Sequence, residues 1–295
     1  KEYDAAIRAE SNGRMGFRIY SGSVQGDEKD VLRKIRIGQL QAGGFTGVGM
    51  GEIAPKVRIL DSPFLVRSYE EVDHLYREFD KEFQKAFEDG GYVLLGWAEV
   101  GFVHVFTRNL IQKPEDLRSL KIWTWEGDPV ALAAFSTLNI NPISLSITDV
   151  MTSLQTGLID AFYTSPLAAI YLQWYTRVKY MIDAPLADAA GAVLISKRYF
   201  DQLPPDLQEI LIRNGRKYMA TLTRLSREEN REAIGTLQKN GITVVPVQAS
   251  DLPQYVEAGR RARRALAGRL YPEEFLNQVE KSLEDFRTSS SKSPQ

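Results

Sequence analysis

The chain carries little of the usual equipment for covalent or acid–base chemistry. It has no cysteine, which excludes disulfides, thiol nucleophiles and thiolate metal sites. Its two histidines, His74 and His104, stand 30 positions apart without metal-ligand spacing, so a Ser-His-Asp triad would have to draw its base from one of them. His104 lies in a strand-like stretch beside Phe102 and Phe106, where a hydrogen-bonded structural imidazole is favoured over a catalytic one. Carboxylates are plentiful, but none falls in a recognised catalytic pattern. Gly43, Gly44, Gly47, Gly49 and Gly51 are dense, yet they lack the Lys-Ser/Thr of a phosphate loop and the spacing of a dinucleotide fold. They read as backbone packed close to a ligand or to a second lobe.

The strongest chemical signal is aromatic. Trp97, Phe102, Trp123, Trp125, Phe162, Tyr163, Trp174 and Tyr175 gather around strand ends in the middle third. Trp123 and Trp125 are two apart and face the same side of a strand, where they cap a core or line a cleft.

The elements that must position these side chains alternate between strand and helix. Helical patterns cover 1–12, 27–37, 70–90, 114–119, 128–137 and 251–286. Strands are expected at Phe17–Tyr20, 40–47, 92–98, 121–124, 142–146, 158–163, 192–196 and 242–247. This alternation predicts an α/β protein with largely parallel sheets. Residues 30–43 align without gaps on 149–162, with Gly38 on Gly157 as helix-terminating glycines, which points to two lobes built from related units. From Pro205 to Asn240-Gly241 no proline interrupts, so one helix of about 36 residues would span roughly 54 Å at ~1.5 Å per residue. Its weak points are Gly215 and Gly235.

The 295 residues are enough for two domains. Lys and Arg number 37 against 38 Asp and Glu, so there is no basic excess to hold a nucleic acid. No run of 18 apolar residues exists to span a membrane. Lys1 opens directly into a helical pattern with no signal peptide, which leaves secretion undecided.

Several stretches occur together in a specific order: Ile19-Tyr20-Ser21-Gly22 with Gly26-Asp27-Glu28; Leu60-Asp61-Ser62-Pro63-Phe64-Leu65; Pro114 to Ile122; Asp149-Val150 through Gly157; Asp160 with Ser165-Pro166-Leu167; and Leu203 to Gln208. In these the sequence resembles the extracytoplasmic solute-binding subunits of TRAP (tripartite ATP-independent periplasmic) transporters, of the dicarboxylate-receptor type. The resemblance implies a two-lobe periplasmic binding protein fold (type II-like) with the long helix spanning both lobes. It implies too that the family's first strand is missing from this chain. Lobe I is expected to comprise 1–100 plus 190–228, and lobe II 101–189 plus 229–286. Residues 287–295 are expected to form a disordered tail, and the chain to cross between lobes near 98–102 and 186–192. The implied function is non-enzymatic: capture of a small molecule and delivery to TRAP membrane subunits in the periplasm, without cofactor or metal, with lipid anchoring left open.

Where the family usually has an arginine that grips a ligand carboxylate, this chain has Trp123. A second family arginine position is Val103, and the Gln-Glu-Asn before Pro-Leu is replaced by Phe162, Tyr163, Thr164 and Ser165. A buried carboxylate without a partner loses several kcal/mol of hydration. These departures therefore lead to the expectation of an apolar, aromatic or neutral ligand; a cation is also compatible with Glu99, Glu126 and Asp128. The site is expected to comprise Trp123, Val103, Phe162, Tyr163, Thr164, Ser165, Trp125 and Ile147, with Phe45, Thr46, Trp97 and Glu99 from the other lobe or the hinge. The alternatives are an organic acid held by a relocated arginine such as Arg108 or Arg67, a sensory or partner-binding protein, and an enzyme on the same scaffold.

Overall fold

The computed structural model describes residues 1–290. Its strands, in chain order, are β1 (Ala42–Thr46), β2 (Tyr92–Trp97), β3 (Gly101–Thr107), β4 (Trp123–Trp125), β5 (Ile143–Leu145), β6 (Ala161–Thr164), β7 (Tyr180–Asp183), β8 (Ala187–Ala189), β9 (Gly191–Ser196) and β10 (Thr243–Pro246). Strands β1, β9 and β2 form one sheet, and β10, β7, β3 and β6 another, with β8 paired to β3; β4 and β5 form a separate pair. Each sheet underlies one lobe of a two-lobe α/β fold.

The expectation of largely parallel sheets is corrected here. Only β10–β7 and β4–β5 pair in parallel; β9 runs antiparallel to both β1 and β2, and β3 antiparallel to β6, β7 and β8. The reason is the crossing between lobes. β9 and β3 each enter a sheet from the hinge, against neighbours that are parallel to one another. The hinge is two strands side by side: the Ala98 N–H donates to the Gly191 carbonyl at 2.7 Å and the Val100 N–H to the Ala189 carbonyl at 3.0 Å.

The helix Pro205–Lys239 is unbroken, with proline at its favoured first turn. Near its start Leu207, Ile210 and Leu211 pack with Tyr3, Ile7, Leu95 and Ile195 of the first lobe. Near its end Leu237 packs with Phe162, Met181 and Ile242 of the second. Gly215 does not break it. A Cβ there would run into the Leu95 carbonyl of β2, so the glycine lets helix and strand approach. Both repeat units fold alike: a helix, a glycine with positive φ (Gly38 at 81°, Gly157 at 75°), then a strand.

Other expectations fail. Phe17 to Tyr20 is not a strand; it has no sheet partner, and Ile19 and Tyr20 are exposed. The region 251–286 is two helices, Leu252–Leu266 and Glu273–Ser290. The second buries Phe275, Leu276, Val279 and Leu283 against Phe79 and Phe83, in the core of the first lobe rather than the second. Of the expected tail, residues 287–290 continue this helix, and Arg287 is held by Glu71 and the Leu65 carbonyl; residues 291–295 lie outside the described residues.

Candidate functional site

A cavity of about 890 Å³ opens between the lobes. One wall comes from the first lobe: Glu28 on the helix Glu28–Arg36, Thr46 and Gly47 where β1 meets the next helix, and Arg58 and Asp61 just beyond. The facing wall, from the second lobe, carries Val103 and Val105 of β3, Trp123 and Trp125 of β4, Asp128, Phe135 and Tyr163. Ala187, Asp188 and Ala189 of the hinge close the back.

The aromatic wall is a stack. Trp123 lies 5.3 Å from Tyr163 with planes 23° apart, and meets Trp174 edge-on at 5.3 Å. Trp123 is 2% exposed, and its indole N–H donates to the Leu145 carbonyl at 3.0 Å. It is both a core residue and a cleft wall, so the choice between cap and cleft resolves into both.

The polar centre is Arg58, 4% exposed. Its Nη2 donates to Asp128 Oδ1 at 2.8 Å, and its Nε lies 2.9 Å from Asp61 Oδ2, an ion pair without hydrogen-bond alignment. Nη1 has no partner among the described residues. Asp128 is the N-cap of the helix Pro129–Thr137, with Oδ1 accepting from the Val130 N–H at 3.0 Å. The Arg58–Asp128 pair therefore ties the two lobes together. Asp61 accepts from the Ala190 N–H at 2.9 Å, and burial pushes its carboxyl up to about 6 despite the adjacent guanidinium. Glu28 accepts from the Thr46 and Gly49 N–H groups at 2.8 and 2.7 Å, and burial pushes it up to about 7.

A second bridge crosses the cleft at its rim. Asp27, whose side chain caps the helix Glu28–Arg36, accepts from the Trp125 indole N–H at 3.1 Å, the Ser146 hydroxyl at 2.6 Å and the Ile147 N–H at 3.4 Å. The lobes are thus drawn together at the centre and at the edge.

Of the residues expected from sequence, Val103, Trp123, Trp125, Tyr163, Thr164, Ile147 and Thr46 line the cavity. Five do not. Phe45 and Phe162 point the opposite way from Thr46 and Tyr163 on their strands and enter the cores of the first and second lobes. Ser165 is buried as a helix cap, accepting from the Ala168 N–H. Trp97 is packed between Tyr76, Phe83 and Phe87, and Glu99 is paired with Arg227 of the long helix at 2.6 Å. Neither arginine proposed as a substitute serves: Arg108 bonds the Leu154 carbonyl outside the cleft, and Arg67 is exposed. His104 is structural, its Nδ1 3.0 Å from the Ile182 carbonyl, with burial holding its pKa down.

The comparisons with known proteins follow from this geometry. The family model for bacterial extracellular solute-binding protein, family 7 (DctP) matches residues 1–267. The chain belongs to that family. Among its curated relatives is the 2,3-diketo-L-gulonate-binding periplasmic protein YiaO of Escherichia coli, 24% identical over 251 residues, 83% of this chain and 75% of that one. Among solved structures, a TRAP periplasmic solute-binding protein from Desulfovibrio salexigens with bound orotic acid superposes with a TM-score of 0.89 at 19% identity, over 96% of this chain and 92% of that one. The Bordetella pertussis receptor DctP7, which binds pyroglutamic acid, superposes with a TM-score of 0.86 at 21% identity over the same shares. These likenesses establish the two-lobe fold of the family 7 receptors. Among the described residues, no helix of this family 7 protein is long and apolar enough to cross a membrane.

Arg58, Asp61, Glu28 and Asp27 escaped assignment to the site from sequence, although Asp27, Glu28 and Asp61 stood within the stretches that carried the resemblance. For Arg58 the signal was its setting, a cation inside the apolar run Val57-Arg58-Ile59-Leu60. Such a charge is rarely buried unless paired.

Proposed function

We propose that this family 7 protein is a periplasmic receptor of a TRAP-type transporter for a small organic acid with a ring or apolar body, its carboxylate held by Arg58. The observation that carries this reading is the unpartnered Nη1 of Arg58, a buried cation on the cleft wall. Guanidinium donors are suited to carboxylates, and a charge-assisted hydrogen bond contributes about 1.5–3 kcal/mol. The stack of Trp123 and Tyr163 offers a flat apolar face to the rest of the ligand.

The expectation of an apolar, aromatic or neutral ligand is set aside. It rested on the loss of arginine at 123 and 103, and Arg58 supplies a cation from the opposite lobe. The relatives named above carry acids as well: orotic acid, pyroglutamic acid and a keto-sugar acid. A dicarboxylate fits less well, because its second charge would meet Asp61, Asp128 and Glu28.

Isothermal titration of ligand-stripped protein tests this, with orotate, pyroglutamate, succinate and indole as probes. Binding of a ring monocarboxylate, with succinate and indole weak, is the expected result. Tight binding of indole with no response to any acid would overturn it.

A further inference from the structure

Two carboxylates share the guanidinium of the cleft. Arg58 Nη2 lies 2.8 Å from Asp128 Oδ1 and Nε lies 2.9 Å from Asp61 Oδ2, and all three side chains are largely shielded from solvent. Burial pushes the Asp61 carboxyl up to about 6 against the pull of Arg58, and the charge of Asp128 adds to the rise. A ligand carboxylate on Nη1 would bring a third negative charge to one buried cation, and uncompensated charge in such a site is costly. Asp128 has capacity to spare. Its Oδ1 accepts from Arg58 and from the Val130 N–H, whereas its Oδ2 has one hydrogen-bond neighbour among the described residues, the Tyr163 hydroxyl at 3.5 Å. That hydroxyl belongs to the aromatic wall. The Tyr163 ring lies 5.3 Å from Trp123 and 5.7 Å from Phe135, whose plane is turned 62° to it. The strand register sets Tyr163 opposite Val105, and both line the cavity with Asp128 and Phe135. An unbroken series of contacts therefore runs from the guanidinium through Asp128 to the rings. A carboxylate oxygen beside aromatic rings suits a cationic nitrogen, because the ring faces carry negative charge.

We propose that the acid taken by this cleft is a zwitterion, its carboxylate on Arg58 and its cationic nitrogen against Asp128 Oδ2 and the rings of Tyr163 and Phe135. This deepens the organic-acid reading above and rests on it. The nitrogen offsets the charge that the ligand's own carboxylate adds, so both contacts form without a net gain of buried charge. A plain acid brings the charge without the offset, and a plain amine leaves Nη1 of Arg58 unused.

The test uses two pairs of acids matched in shape. L-Proline is set against (S)-tetrahydrofuran-2-carboxylate, which has oxygen in place of the ring nitrogen. N-Methylnicotinate is set against 3-methylbenzoate, which has carbon in its place. Isothermal titrations at neutral pH are run on wild type, Asp128→Asn and Asp128→Ser, with thermal unfolding of each. Both replacements can still cap the helix Pro129–Thr137, and both leave Arg58 paired with Asp61. Wild type is expected to bind at least one zwitterion about tenfold or more tighter than its partner. The variants should shrink that preference by about tenfold or more, with opposite signs in the two members: the zwitterion loses an attraction and binds more weakly, while the plain acid loses a repulsion and binds more tightly. A merely structural role for Asp128 would weaken both members alike. A zwitterion preferred in neither pair by wild type, or a preference kept in full by a folded Asp128 variant, overturns the zwitterion assignment and leaves the organic-acid reading standing. Failure of wild type to bind any of the four acids overturns both.

Discussion

Removing Arg58 alone would confuse folding with binding. Asp61 and Asp128 would be left buried without a counter-charge, and breaking a buried pair costs roughly 3–5 kcal/mol, much of the ~5–15 kcal/mol that holds an ordinary domain folded. The informative series neutralises the aspartates first. Asn at 61 and 128 can still accept from the Ala190 and Val130 N–H groups, so both backbone contacts survive. In Asp61→Asn/Asp128→Asn, Arg58 becomes an uncompensated cation facing the cavity. A ligand carboxylate about 6 Å from each former aspartate escapes a repulsion of order 3 kcal/mol per charge at an effective dielectric of ~20, before relaxation of the site. Acid binding should therefore tighten at least tenfold, which is ~1.4 kcal/mol. Adding Arg58→Met then removes the cation itself. Binding should fall below the double variant by roughly 10- to 150-fold, the equivalent of one charge-assisted hydrogen bond. Isothermal titration at fixed ionic strength reads both steps, and thermal unfolding confirms that each variant is folded. If the triple variant binds the acid as tightly as the double variant, Arg58 does not hold the carboxylate and the assignment of the site is wrong.

Three further outcomes are expected. Trp125→Phe deletes the indole N–H that reaches Asp27 but leaves the helix cap intact, so the unliganded protein should open, seen as a larger radius of gyration in small-angle scattering, and ligand should dissociate several-fold faster; an unchanged radius and off-rate would dismiss the rim bridge as a latch. Acid binding should strengthen as pH falls from 8 to 6, because Glu28 at about 7 and Asp61 at about 6 take up protons and lose the charge that repels an anion, and a binding curve flat across this window would contradict the assignment; both folded-state values are raised, so folding stability should decline as pH rises from about 4 to about 7. Gly215→Ala should lower the unfolding temperature although alanine is the better helix former by about 1 kcal/mol, because its Cβ meets the Leu95 carbonyl; a rise would show that helix and strand can part without loss.

The architecture was legible because it is written in periodic and local signals. The helix–glycine–strand units reappear with the positive φ their glycines were expected to supply, and the uninterrupted stretch after Pro205 is one helix. Strand direction was not legible, since hydrophobic runs carry no information about whether a strand enters its sheet directly or through the hinge. The helix Glu273–Ser290 was placed in the wrong lobe for a related reason: its amphipathic stripe fits any apolar surface, and only the fold brings Phe275 to Phe79 and Phe83.

The site divides along the same line. Whether a residue faces the cleft depends on a period of two, and a one-residue choice separates Thr46 from Phe45 and Tyr163 from Phe162. The expected loss of the family arginines rested on Trp123 and Val103, and its consequence was drawn from one wall alone. Charge in a closed cleft belongs to the pair of lobes, and the cation sits across the gap from Trp123. This placement has a physical consequence. Arg58 on one lobe pairs with Asp128 on the other, so this contact between the lobes competes for the guanidinium that a ligand carboxylate would engage.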